Sequence, residues 1–119
     1  MLRIERRHVK YTVWTLYVLA AIGDPGFYKV GVTRHPVERR IDRLQTGNPR
    51  QLVCVRTRTY ENKAMMYAAE TAFFTYARAA GKPTHNEWVQ TDLEFIESAL
   101  DAIDAMAAPY RKPVVTSPQ

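Results

Sequence analysis

Residues 13–33 read VWTLYVLAAIGDPGFYKVGVT. Val13–Ala20 and Phe27–Thr33 are both rich in β-branched and aromatic side chains, and Gly23-Asp24-Pro25-Gly26 between them is turn chemistry. The stretch therefore reads as a β-hairpin. Pairing Tyr17 with Lys29 leaves Ala21–Pro25 as the connection. Successive side chains on a strand point to opposite faces, so this register puts Leu16, Val18, Val30 and Val32 on one face and Tyr17, Lys29 and Gly31 on the other. The first face is a core face. The second sets a phenol beside an ammonium, with a glycine that leaves room for a ligand.

Working outward from the hairpin, Val37, Ile41 and Leu44 recur at helical spacing. Pro36 suits the first turn, Thr33 or His35 is placed to cap it, and Thr46-Gly47-Asn48-Pro49 ends it. Leu52–Tyr60 is a third strand, on which Arg56 and Arg58 lie two apart and share a face. Ala64–Ala80 is a long helix with Gly81 at its C-terminal cap. After the polar loop Lys82–Asn86 comes a short apolar piece, Glu87–Gln90. Thr91 with Glu94 then reads as a capping box for a helix running to Met106. The order is β-β-α-β-α-(β)-α. It predicts an α/β (α+β) domain over residues 13–106, with a small central three-stranded antiparallel sheet flanked by helices. Residues 1–12 read as a basic N-terminal arm, and 107–119 as a flexible tail containing prolines.

The chain has 119 residues, one domain's length, and 46% of them are hydrophobic. No apolar run reaches the length of a membrane span, and no signal-peptide pattern follows the N-terminal arginines. The single cysteine, Cys54, excludes an internal disulfide and a cysteine-based zinc cluster, so the expected compartment is the cytoplasm. The net charge of +5 is uneven: residues 1–58 hold 12 Lys/Arg against 4 Asp/Glu, and residues 59–119 hold 5 against 8. A basic half attracts polyanions, of which nucleic acid is the commonest in a cell.

Four residues form a candidate catalytic set. A phosphodiester is attacked by water when a base takes the proton and the charge building on phosphorus is neutralised. A phenol is too weak a base at neutral pH unless a cation stands beside it, which makes Tyr17 with Lys29 a credible base. Arg39 and Arg43, at i and i+4, present two guanidinium forks on one helix face, suited to phosphate. Glu70 has Met66, Phe73 and Phe74 as helical neighbours. A carboxylate there is costly unless it pairs with an arginine or holds a hard cation such as Mg²⁺ or Mn²⁺. Arg34, Arg43, Arg56, Arg58 and Asn86 complete the expected substrate-binding surface, with His85 as an alternative to Asn86 in the same loop.

These residues, in this order, resemble the GIY-YIG nuclease superfamily. Thr15-Leu16-Tyr17 is similar to its first signature element and Lys29-Val30-Gly31, preceded by Tyr28, to its second. The run YKVGVTRHPVERRIDRLQTGNP, from Tyr28 to Pro49, resembles a phage-associated branch, as do Glu70 and Glu87-Trp88. The likeness covers roughly residues 13–100. It implies a metal-dependent endonuclease acting on DNA, most simply double-stranded. Tyr17 would be the general base, Arg39 the phosphate stabiliser, Glu70 the ligand of one divalent metal, and Lys29 the replacement for a second tyrosine. A double-strand break by a one-site domain needs two copies or two visits, which admits a homodimer. Two alternatives stand beside it: a non-cleaving module that keeps the fold and binds nucleic acid or protein, and an interaction protein whose acidic last helix (Glu94, Glu97, Asp101, Asp104) docks a basic partner.

Overall fold

A computed structural model describes residues 13–107. The expected basic arm 1–12, and the tail beyond Ala107, lie outside the described residues. The elements are β1 (Trp14–Ala21), β2 (Phe27–Thr33), α1 (Val37–Gln45), β3 (Leu52–Tyr60), α2 (Lys63–Ala79), β4 (Thr84–His85), β5 (Trp88–Gln90) and α3 (Leu93–Ala107). The expected α+β class is found, and the three long strands lie side by side in the order β3-β1-β2, with β3 at one edge of the sheet. The sheet has five antiparallel strands rather than three, because the short β4–β5 hairpin adds itself to the edge of β2. β5 covers β2 only from Phe27 to Lys29, with one further bond from Val30 N to Glu87 O, so among the described residues no strand lies beside the edge past Val30.

Helices cover both faces. Leu16, Val18 and Val30 pack with Phe73 and Phe74 of α2 and Ile96 and Leu100 of α3. On the opposite face Tyr17, Leu19, Ala21 and Leu52 pack under Val37, Ile41 and Leu44 of α1, the stripe read from the sequence. The alternation of the hairpin thus holds, but its register does not. Tyr17 faces Gly31, and Lys29 faces Leu19, a shift of two residues from the expected pairing. The connection, Ile22–Gly26, has the same five residues as the expected one and lies one residue further along. Gly23 and Gly26 within it both adopt positive φ (88° and 92°), a conformation glycine enters at little cost. The shift also puts the one residue without a side chain opposite the largest buried one. A Cβ on residue 31 would lie 2.4 Å from the Tyr17 hydroxyl and 2.6 Å from Cζ.

The third helix begins with a different cap from the one expected. Asp92, not Thr91, accepts the hydrogen bond from the Phe95 N–H through Oδ1, at 2.8 Å. Asn62 caps α2 in the same way, from the Met65 N–H at 2.8 Å. On β3, Arg56 and Arg58 do share a face, and it is the face of Leu16 and Val18, under α3. Arg56 pairs with Glu97, and Arg58 with Asp104 at 3.0 Å and Asp101 at 3.6 Å. Three of the four acidic residues of α3 are therefore turned to the domain's own sheet.

The Tyr17–Gly31 approach makes a direct prediction. Gly31→Ala forces a buried, immobile ring to move and should cost about 1–3 kcal/mol, the usual penalty of overpacking. Urea unfolding of the two proteins measures it, and Tyr17→Leu in the same background should recover part of the loss.

Candidate functional site

Tyr17 is fully buried on the α1 side of the sheet, and its hydroxyl oxygen accepts a hydrogen bond from Arg40 Nε at 3.2 Å. Arg40 is three residues past Val37 and four before Leu44, so it stands on the stripe of α1 that faces the sheet. Its pKa is raised, first by the hydrogen bond to Tyr17, with partial burial opposing. A guanidinium is charged at any working pH in any case. The sequence placed Lys29 beside the phenol. With the register shifted by two, the cation on the phenol is Arg40 instead. Lys29 turns to Glu87, its Nζ donating to Oε1 at 2.6 Å, and lies 6.0 Å from the centroid of the Trp88 ring. The Lys29 side chain is only 13% exposed, so this ammonium depends on that carboxylate.

Glu70 lies on α2 with Met66, Phe73 and Phe74, all buried, one turn either side of it. Glu70 itself is half-buried, and among the described residues it makes no hydrogen bond or ion pair. Its pKa is raised, chiefly because burial penalises the charged form. Repulsion from Glu87 adds to the rise, and Lys29 opposes it. Glu87 acts on Arg40 as well. Tyr17, Arg40, Glu87, Lys29 and Glu70 therefore form one electrostatic group around the uncovered edge of β2.

Beside this group is a cavity of about 350 Å³ between α1 and the first turns of α2. Arg34, Arg39, Arg43 and Lys63 rim it, all exposed, and Arg40 belongs both to its wall and to the Tyr17 hydrogen bond. No Asp or Glu is among the described residues that line it. Arg39 thus lies at the cavity, while its neighbour Arg40 holds the phenol. Asn86 is in the exposed two-residue turn of the β4–β5 hairpin, at φ 55°, next to Glu87. Arg56 and Arg58 are not brought to the site; they are paired with α3 on the other face.

Two members of the group carry no role in the reading of the sequence. Arg40 has a usable signal, its spacing from Val37 and Leu44, but the pair Arg39/Arg43 shares the more obvious face. Glu87 stands out only with Trp88 in the family resemblance, and its role depends on where the β4–β5 hairpin docks. Among the described residues, no group of three or more His, Cys, Asp and Glu side chains is arranged to hold a metal. The donor set therefore does not fit a zinc-type site. An unpaired, half-buried carboxylate does fit a hard divalent cation, which keeps several waters and takes further oxygens from a phosphate.

The fold and these groups define a small α+β domain in which a cationic cavity adjoins a buried phenol and an unpaired carboxylate. A model of the T5orf172 domain matches residues 15–104, and the chain belongs to that family, which is phage-associated and often linked to GIY-YIG and HNH-like nucleases. No curated protein and no solved structure matched the chain. No helix among the described residues is long and apolar enough to cross a membrane.

The raised pKa of Glu70 has a consequence for stability. A carboxyl group whose pKa is higher in the folded state contributes stability that is fully present below its unfolded pKa of about 4.3 and lost as pH rises through the folded value. At pH 7 the ionised Glu70 is therefore a burden on the fold. Glu70→Gln should raise the melting temperature at pH 7, and the gain should shrink to nothing as pH falls below about 4. Thermal scans across that range check it.

Proposed function

We propose that this domain is an endonuclease of the GIY-YIG kind, hydrolysing DNA phosphodiester bonds. The observation that supports it best is a phenol held by a guanidinium and coupled through Glu87 and Lys29 to an unpaired carboxylate, beside a cavity rimmed by cations with no carboxylate among its described lining residues. Membership of a phage-associated family often linked to nucleases supports it from a second direction, as does the likeness of Thr15–Tyr17 and Tyr28–Gly31 to the two signature elements.

In the reaction the oxygen of water bonds to phosphorus, the bond from phosphorus to a deoxyribose oxygen breaks, and that leaving oxygen takes up a proton. Arg39 and Arg43 grip the phosphate at the cavity, with Arg34 and Lys63 adding positive potential. The Tyr17 oxygen is covered by Arg40. A phosphate anion is a stronger acceptor for a guanidinium than a neutral phenol is. Substrate in the cavity therefore draws Arg40 outward and uncovers the neutral phenol, whose oxygen accepts a hydrogen bond from the attacking water and orients it; the water's proton passes to solvent, from which the leaving oxygen is protonated. Lys29, neutralised by Glu87, holds that carboxylate at the edge of the site, and Asn86 offers a polar side chain at the same edge. Glu70 is the residue that would hold Mg²⁺ or Mn²⁺, a cation that would neutralise the charge gathering on the phosphoryl oxygens. Arg56 and Arg58 have no part here, since α3 already occupies them.

The complete burial of Tyr17 favours a second reading, in which the phenol is structural and the module binds nucleic acid without cutting it. One assay separates the two. Supercoiled plasmid is incubated with the protein and Mg²⁺ or Mn²⁺, beside Glu70→Ala. The nuclease reading expects nicking by the wild type and a loss of about 10²–10⁴-fold in the variant. Nicking that persists undiminished in Glu70→Ala would sink it. Salt-sensitive binding with no nicking would establish the second reading.

A further inference from the structure

The cavity beside Arg40 has more than charge. Its wall carries two aromatic side chains, Trp14 at the start of β1 and Tyr67 on α2, with the apolar Val32 and Met66 between the strand and the helix. Tyr67 is 50% exposed, a large aromatic surface left open to solvent at a site rimmed by arginines. A surface that only grips the backbone of a duplex needs cations alone, spread along a face. In a duplex, base faces are stacked on one another and are out of reach of a side chain. Aromatic rings within a concave, cation-rimmed site meet a base face only when that base has left its stack.

We infer that this cavity takes one unpaired nucleotide of a DNA substrate, its base against Tyr67 and Trp14 and its phosphate on Arg39, Arg40 and Arg43. The inference rests on the nucleic-acid reading above and adds the substrate class: DNA with an unpaired or extruded nucleotide at the site, rather than uninterrupted duplex. A volume of about 350 Å³ is at the lower end of the range for small-ligand pockets, enough for one nucleotide but not for a stretch of duplex. Among the described residues no carboxylate lines the cavity to repel the phosphate. Because Arg40 lines the cavity and also holds the Tyr17 hydroxyl, a nucleotide seated there lies next to the phenol.

Fluorescence anisotropy in EDTA and moderate salt tests this without any cleavage. Three labelled DNAs of equal length are titrated with the full chain: a paired duplex, the same duplex with a single-nucleotide bulge, and a single strand. The bulged and single-stranded DNAs should bind about 5- to 150-fold more tightly than the paired duplex, the gain expected from stacking one base. Tyr67→Ala, at an exposed helical position that should not disturb folding, should abolish the preference, and Tyr67→Phe should keep it. Equal binding of all three DNAs, or a preference unchanged in Tyr67→Ala, overturns the assignment while leaving nucleic-acid binding intact. Failure to bind any of them overturns the nucleic-acid reading as well. A preference that is present in a protein that nicks nothing removes the cleavage reading and leaves the cavity's role standing.

Discussion

Tyr17 can lie flat against the centre of the sheet because residue 31, directly across from it, has no side chain. A Cβ there would overlap the phenol, so the glycine fixes where the ring goes, and the ring fixes where Arg40 goes. The rest of the site follows. The strand edge beyond Val30 stays uncovered because β5 ends its pairing at Lys29, and this leaves Lys29 and Glu87 paired at the boundary with Glu70 close by. A close contact between two residues of one hairpin thus positions groups from β1, β2, α1, α2 and the β4–β5 hairpin.

The sheet also sorts the domain's charges. On the face under α3, the arginines of β3 are neutralised by Glu97, Asp101 and Asp104. Those pairs are partly exposed and add little stability each, but they take both arginines and the acidic helix face out of reach of other partners. An acidic last helix that docks a separate basic protein is therefore the least favoured of the three readings drawn from the sequence. The arginines of α1 have no such carboxylates and gather at the cavity instead. Among the described residues of the first half of the chain, four arginines, Arg34, Arg39, Arg40 and Arg43, thus meet at one place, and Glu70, whose ionisation burdens the fold, is one helical turn from the lining residues Met66 and Tyr67. An unfavourable charge held close to such a site is the kind of local cost that functional sites carry.

Much of this was legible in the sequence, for reasons that can be named. Alternation and helical spacing are local, so the hairpin faces, the Val37–Ile41–Leu44 stripe and the odd placement of Glu70 could all be read directly. Register is not local. The Tyr17–Lys29 pairing had the right parity and the wrong partner, because nothing in the turn sequence alone says that the phenol needs the glycine opposite. Arg39 and Arg40 differ by one helical step: spacing from Val37 and Leu44 puts Arg40 on the sheet-facing stripe, but that a phenol waits beneath it follows only from the burial of Tyr17. Arg56 and Arg58 looked available because their partners are some forty residues further along the chain. Of the two extra strands, β5 is legible as the short piece Glu87–Gln90, but β4 and the docking of the pair on β2 are not, because strands of two and three residues gain order only by adding to an existing edge.

The central claim is that the buried phenol takes part in phosphodiester cleavage once Arg40 leaves it. Its most direct test is the single-turnover rate of DNA cleavage by Tyr17→Phe, measured at saturating protein with Mg²⁺ or Mn²⁺. This variant keeps the ring and loses only the hydroxyl. The account predicts a rate lower by about a hundredfold or more, with DNA affinity essentially unchanged. Cleavage at the wild-type rate would contradict it, leaving Tyr17 as a filler of the space that Gly31 provides.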